Sequence, residues 1–523
     1  MLGTRTTQDI EQRPTSRARS AAVTPAALIV LGLASAGLYW WGRDLHRFTQ
    51  WLAAYSWLFI GQLAIYVVAC FIVWRRNAGD LGAQASCLHD SKKAGSKQAK
   101  PSRTIRLLTV GAVLVFAALF RAELVAQQPF LSSDVYRYVW DGRVQAAGVN
   151  PYRYPPGAEE LRELRDQRIF PNITAEDQGW LSPYPPAAQG VFLIAYKLFP
   201  SVTGFKLAMS MFDLIAVLLI MLSLAAAGLD PARAIIFAWH PLVIFETAHS
   251  GHVESVYIAL IALALWAWSR RSHALTGVAL ALAATVKFYP ALLLPVFLTT
   301  SSSPEDSVDS GPQAGSLRHV GQSPGARLDF RSLAKLWSAP NLKLVGAFIA
   351  TIVAVYLPYL GAGSNLFAFL GGYFGEEGFG DSGARYFLLT LLRKVIPIPT
   401  IAFLIPAALV LLALAVRWMV SDKRDLTDVA RGAIVLVGAY LLLTTPRYAW
   451  YYVWLLPFLC IAPRLGWLYL TGAASLLYLV WYTPLVYPGV PLWLGLAVYL
   501  PTVALLLWEK IAVPQVAISK RSA

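Results

Sequence analysis

The run "IRLLTVGAVLVFAALFRAELVA", residues 105–126, decides the fold class, and "SSDVYRYVWDGRVQAAGVNPYRYPP", residues 132–156, decides where to look for chemistry. The first is long enough, at a helical rise of about 1.5 Å per residue, to cross a hydrocarbon core of roughly 30 Å. The second follows within six residues and carries two aspartates, three arginines and five aromatics. Outward from this pair the chain repeats the same alternation. Of its 523 residues 57% are hydrophobic and only 14% charged, against about 25% charged in a typical soluble domain. About fourteen apolar segments qualify as candidate crossings, near 21–41, 51–74, 105–126, 203–228, 234–247, 253–270, 274–286, 288–301, 342–361, 399–418, 429–446, 451–463, 466–482 and 493–510. The expectation is an all-α polytopic bundle of about 12 to 14 membrane helices.

Charge sets the orientation. The net charge of +15 is spread through short segments between apolar runs, which is a topology signal and argues against a nucleic-acid partner. Residues 75–103 carry seven Lys or Arg, including Arg75, Arg76, Lys92 and Lys93. That linker reads as cytoplasmic, and an even number of crossings puts the basic tail 1–20 on the same side. The first apolar run offers Ala34, Ser35 and Ala36 as a small-residue cleavage pattern, but hydrophobicity continues to Trp41 and favours an uncleaved helix. The expected organisation is a tail 1–20, two helices and a basic linker 21–104, a core 105–300 with an outer loop 127–190, a Ser, Gly and Pro-rich linker 301–340, C-terminal helices 341–510, and a tail 511–523. Both termini are expected on the cytoplasmic side. Cys70, Cys87 and Cys460 show no CxxC spacing and indicate neither a disulfide framework nor a thiolate metal site.

The unusual polar residues then fall on one side. Asp134 and Asp141, "HSGHVES" (249–255), "KFYP" (287–290), "EEGFGDSGARYF" (376–387) and "TTPRYAWYY" (444–452) are all expected outside. A transporter would carry its ionisable groups near the bilayer midplane. Asp213 is the exception, read either as functional or as a buried carboxylate paired inside the bundle, with Lys206 as a partner. A helix over 132–147, capped by Ser132 or Ser133 and ended by Gly148, sets Asp134, Arg137, Tyr138 and Asp141 at i, i+3, i+4 and i+7 on one face. A carboxylate just outside the bilayer suits a general base on an acceptor hydroxyl, with nearby cations on a lipid-linked phosphate. The outer segments lack GxxxxGK[ST] and DxD patterns, so a nucleotide-sugar donor is not supported. Inversion by single displacement needs one base, not the close carboxylate pair of a retaining enzyme.

In order along the chain, "SSDVYRYVWDGRVQAAGVNPYRYPP", "YPPAAQG", "FDLIAVLL", "WHPLVIFETAHSGHVES", "VKFYPALLLP" and "TPRYAWYYVWLLPF" resemble the motifs of GT-C integral-membrane glycosyltransferases. The resemblance is strongest to polyprenyl-phosphate-mannose-dependent mannosyltransferases of bacterial envelopes. It implies a cell (inner/plasma) membrane enzyme with an extracytoplasmic site, a polyprenyl phosphate sugar donor, a glycan or glycolipid acceptor, and Asp134 as the base. Asp141 is the second choice, orienting the loop or the acceptor, and His240 stands where the family usually has asparagine. By charge and position the donor phosphate is assigned to Arg385 and Arg447, ranked above Lys287 for their bidentate geometry. Arg137, Tyr138, Tyr184, His249, His252, Glu254 and Tyr448 are candidates for substrate contact, with Tyr448 and its neighbours also readable as an interfacial belt. No cofactor is expected; a divalent ion on His249, His252 and Glu254 is conceivable but lacks the HExxH spacing. The alternative from another class is a flippase or transporter for a sugar or lipid-linked sugar.

Overall fold

The computed structural model describes residues 16–43, 51–87, 103–298, 335–367, 386–421, 423, 425–482 and 490–519. Residues 1–15 of the expected tail 1–20, most of the linker 301–340, and the segment that includes Arg385 lie outside the described residues. Every regular element among the described residues is helical. Among the described residues eight helices are long and apolar enough to cross a membrane, and Glu254–Ser269, His273–Val286, Ala449–Ile461 and Leu465–Val480 are shorter apolar helices.

Helices α1 (Ser16–Gly42), α2 (Trp51–Cys87) and α3 (Arg103–Val125) pack together at the start of the chain. Ser35 lies within continuous helix and donates to Gln62 Oε1 at 2.5 Å, while Gln62 Nε2 returns a bond to Ser35 O at 2.9 Å. This buried polar clasp ties α1 to α2. Helix α4 (Asp134–Ala146) begins the loop after α3, and a short turn α5 (Ala175–Gln178) leads to α6 (Pro186–Leu198). The expected start of α4 shifts to Asp134, whose N–H is accepted by Ser132 Oγ at 3.2 Å. Its end follows the expectation: Gly148 takes φ +82, and Gly148 and Val149 donate to the carbonyls of Gln145 and Val144. That is the paired-bond helix stop in which glycine adopts the left-handed conformation without a side-chain penalty. Helix α6 starts inside the expected loop 127–190 and runs past its end. Its apolar run is too short to span, and it buries Ala188, Phe192 and Ala195 against α4 and neighbouring helices.

The crossing expected at 234–247 is broken. It consists of α8 (Ile235–Ala238), α9 (Pro241–Ile244) and a π-turn, Phe245–His249. Pro241 has no N–H and forces His240 out of helical geometry, so the helix restarts there. The segment expected at 288–301 is likewise divided, into Tyr289–Leu293 and Leu294–Phe297, with Pro290 and Pro295 at the starts. Neighbours shelter these short pieces, as backbone in a bilayer requires. Helices α7 (Val202–Ala226), α10 (Glu254–Ser269) and α11 (His273–Val286) form the packed centre. At the periphery, Ile401, Ile405, Leu409 and Leu412 are 55–63% exposed along Thr400–Met419, an apolar stripe suited to lipid.

Polar contacts fix the two ends of the bundle. Near the start of α3, Arg76 donates to Thr109 at 2.7 Å and pairs with Asp230 at 3.2 Å. Near its other end, Lys206 donates to the carbonyls of Leu124 and Gln127. Lys206 therefore does not pair with Asp213, contrary to the expectation. Arg121 does, Nε to Oδ2 at 2.6 Å, with Thr247 Oγ1 donating to the same oxygen at 3.0 Å. Both charges are almost fully buried. Removing one partner of such a pair costs about 3–5 kcal/mol, because the other is left uncompensated. The pair anchors the π-turn to α3 and α7.

Candidate active site

Segments separate in sequence meet at one cavity of about 430 Å³. Asp134 opens α4 on one side; Tyr184 with Pro183 and Pro185 comes from the loop before α6. Lys287, Phe288 and Tyr289 follow α11, and Tyr448, Trp450 and Tyr451 come from the start of Ala449–Leu455. Leu292, Leu411 and Tyr440 extend the lining along apolar helices. The lining is aromatic and apolar apart from one carboxylate and one ammonium. A cavity that is mostly apolar with few convergent polar groups is the usual form of a ligand site.

Asp134 is the accessible carboxylate of this wall, its side chain 30% exposed. The hydroxyls of Tyr138 and Tyr184 both approach its Oδ2 at 3.5 Å. Burial, with the charge of Asp134 adding to it, pushes both phenols well above their ordinary range, so they remain donors. Helix α4 also directs its N-terminal end at Asp134, which favours a negative charge there.

Asp141 lies two turns further along α4 and does not line the cavity. It accepts from Arg137 Nε at 2.9 Å, Ser182 Oγ at 2.5 Å and Gln189 Nε2 at 2.8 Å. Arg137 is 4% exposed and also donates to the carbonyls of Asp177 and Trp180. These two residues fasten the return loop to α4; neither faces the space where a substrate would sit. The shared helical face is real, but its far end is occupied by the protein's own loop.

Among the described residues Lys287, ranked last of the cations from the sequence, lines the cavity. Its Nζ stands 2.5 Å from Glu254 Oε1 and 5.1 Å from the Tyr451 ring centroid. Glu254 is thus a partner of the cation behind the wall. Arg447 places its guanidinium 5.0 Å over the Tyr448 ring and is not among the lining residues. Tyr448 stacks on Trp450 at 4.5 Å, and Trp450 is 4.3 Å from the His252 ring. These aromatics build the cavity, beyond the role of an interfacial belt. His249 is buried against Phe130 at 4.2 Å, away from the lining. His240 is also buried, edge-on to Tyr66 at 4.9 Å. Among the described residues no group of three or more His, Cys, Asp or Glu stands close enough to hold a metal ion.

Glu246 was passed over in the sequence. It sits on the π-turn, fully buried, with its Oε2 2.9 Å from His252 Nδ1 and its Oε1 accepting from Tyr478 at 2.6 Å. On the other side His252 Nε2 is 4.0 Å from Asp134 Oδ2. A charged residue inside an apolar run was the available signal.

The family model described as "Alpha-(1->6)-mannopyranosyltransferase, N-terminal domain" matches residues 19–302, more than half of the chain. The chain belongs to that family. Asp134, the π-turn and Lys287 all fall within the matched residues, and the mannosyltransferase adds the aromatic wall at 448–451 from beyond them. Membership makes it a hexosyl-transferring enzyme, which decides against the transporter alternative. No curated protein matches the mannosyltransferase.

Proposed function

We propose that the mannosyltransferase moves mannose from a polyprenyl phosphate donor to a glycan or glycolipid hydroxyl, at the extracytoplasmic face of the membrane and with inversion. The observation that carries this reading is the cavity with Asp134 and Lys287 in its lining and Leu411 as a further wall residue. Leu411 lies eleven residues into the lipid-facing helix Thr400–Met419, about 16 Å along it. A ligand reaching from Asp134 to Leu411 has a polar head and an apolar tail. A nucleotide would meet mostly aromatic and aliphatic groups there.

In this mechanism the acceptor hydroxyl gives its proton to Asp134 while its oxygen attacks the anomeric carbon. The carbon–oxygen bond to the phosphate breaks on the opposite side, and polyprenyl phosphate departs with the electron pair. Lys287 compensates the charge on the phosphate oxygens. Tyr138 and Tyr184 hold Asp134 Oδ2 in place without competing for the proton. An α product formed by single displacement requires a β-linked donor. The aromatic faces of Tyr448 and Trp450 suit the apolar side of a sugar ring.

The test is a donor panel: purified enzyme with radiolabelled mannose carried on polyprenyl phosphate, on polyprenyl pyrophosphate or on a nucleotide, with an α-mannoside acceptor. Product from polyprenyl phosphate mannose alone is the expected result. Equal or faster transfer from the nucleotide sugar would overturn the donor assignment.

A further inference from the structure

Behind Asp134 stands a chain of groups that proton transfer to Asp134 alone does not use. Glu246 and His252 are fully buried, and the two side chains face each other at 2.9 Å. The π-turn makes this possible, since widening the helix at Phe245–His249 lets the His252 N–H return to Glu246 O at 2.9 Å. Such turns inside helices recur at functional sites. The imidazole is packed on Trp450 and presents Nε2 toward Asp134.

We propose that Glu246 is a positioning residue for mannosyl transfer: it holds His252 as an imidazolium against Asp134, and so sets a positive charge beside the Asp134 carboxylate inside an aromatic cavity. The inference rests on the reading of Asp134 as the base. An isolated buried carboxylate would be costly, so Glu246 calls for a cationic partner, and His252 is the cation its geometry supplies. Asp134 has the converse need. It lines an aromatic and apolar wall, and an arriving phosphate would bring a second negative charge beside it. Lys287, held by Glu254 at 2.5 Å, is assigned to the donor phosphate, which leaves His252 as the cation on the Asp134 side.

The groups facing this chain agree. Around His252 stand Glu246, Asp134 and Glu254, all acidic, and behind Glu246 stand the phenols of Tyr478 and Tyr55. Burial works against the charged imidazole, but contact with Glu246 and the charges of Glu246, Asp134 and Glu254 outweigh it and raise its pKa. Asp134 itself meets the Tyr138 and Tyr184 hydroxyls, with Asp177 as a further acidic neighbour.

The test measures kcat/KM for transfer from polyprenyl phosphate mannose against pH, using full-length wild type, Glu246→Gln, His252→Gln, the double variant and Asp134→Asn. A positive charge beside a base resists its protonation, and these substitutions remove that charge. The acid limb of Glu246→Gln is therefore expected to move upward by about one pH unit, with donor KM within about twofold of wild type. His252→Gln should shift the limb alike, and the double variant should be no worse than His252→Gln, since Glu246 acts through it. An unshifted acid limb, or additive losses in the double variant, would overturn the proposal. Where Glu246→Gln fails to accumulate, His252→Gln carries the same expectation and the same refutation. Full transfer by Asp134→Asn removes the base and this inference together; an inactive Asp134→Asn beside an unshifted Glu246→Gln removes the inference alone.

Discussion

Lys287 sets its ammonium 2.5 Å from Glu254 Oε1 while lining the cavity that also holds Asp134. The carboxylate behind it fixes the position of an otherwise mobile four-carbon side chain, so the cation is in place before a phosphate arrives. Charge-assisted hydrogen bonds of this kind contribute about 1.5–3 kcal/mol. Lys287→Gln should therefore raise the KM for the lipid phosphate donor by about tenfold or more, leaving the acceptor KM nearly unchanged. Initial-rate kinetics with each substrate varied in turn check this, and an unchanged donor KM would remove Lys287 from the phosphate site.

Asp141 and Asp134 should separate cleanly in a stability measurement. Asp141→Ala strands a buried Arg137 and unties the loop held by Ser182 and Gln189. A loss of about 3–5 kcal/mol is expected, read as a marked fall in thermal unfolding temperature in detergent. Asp134→Asn, at a part-exposed position with two long hydrogen bonds, should shift that temperature little.

Gly251 links the His252 turn to α4. It adopts φ +74, and an added Cβ would come within 2.9 Å of Lys206 Cγ and 3.0 Å of Val135 Cγ2. Gly251→Ala should cost about 1–3 kcal/mol in backbone strain and press on Val135, the residue after Asp134. Transfer should fall more than donor binding does, which comparison of kcat with donor KM would reveal.

Much of this arrangement was legible in the sequence. Long apolar runs identified the full-length helices, because spanning a bilayer imposes a length that no other fold demands. Asp134, Tyr184, Lys287 and Tyr448, each placed on one side by counting crossings, do meet around one cavity. What the sequence hid has physical causes. Pro241, Pro290 and Pro295 break helices whose composition alone reads as continuous. Helical periodicity correctly aligned Asp134 with Asp141 but could not say that Ser182 and Gln189 would cover Asp141. The partner of Asp213 is Arg121, 92 positions away in the chain, which no local spacing rule reaches. Glu246 stands out as a charge inside an apolar run, but its approach to His252 depends on a π-turn that has no simple sequence signature.

The central claim is that Asp134 is the base in transfer from a lipid phosphate sugar. Its most direct test is the rate of radiolabelled mannose transfer from polyprenyl phosphate mannose to an α-mannoside acceptor by purified wild type and Asp134→Asn, matched for folded protein by thermal unfolding. The account predicts a mannoside product from wild type and a loss of at least about 100-fold in Asp134→Asn, the scale of general-base catalysis, at unchanged stability. Wild-type rates from Asp134→Asn would contradict it.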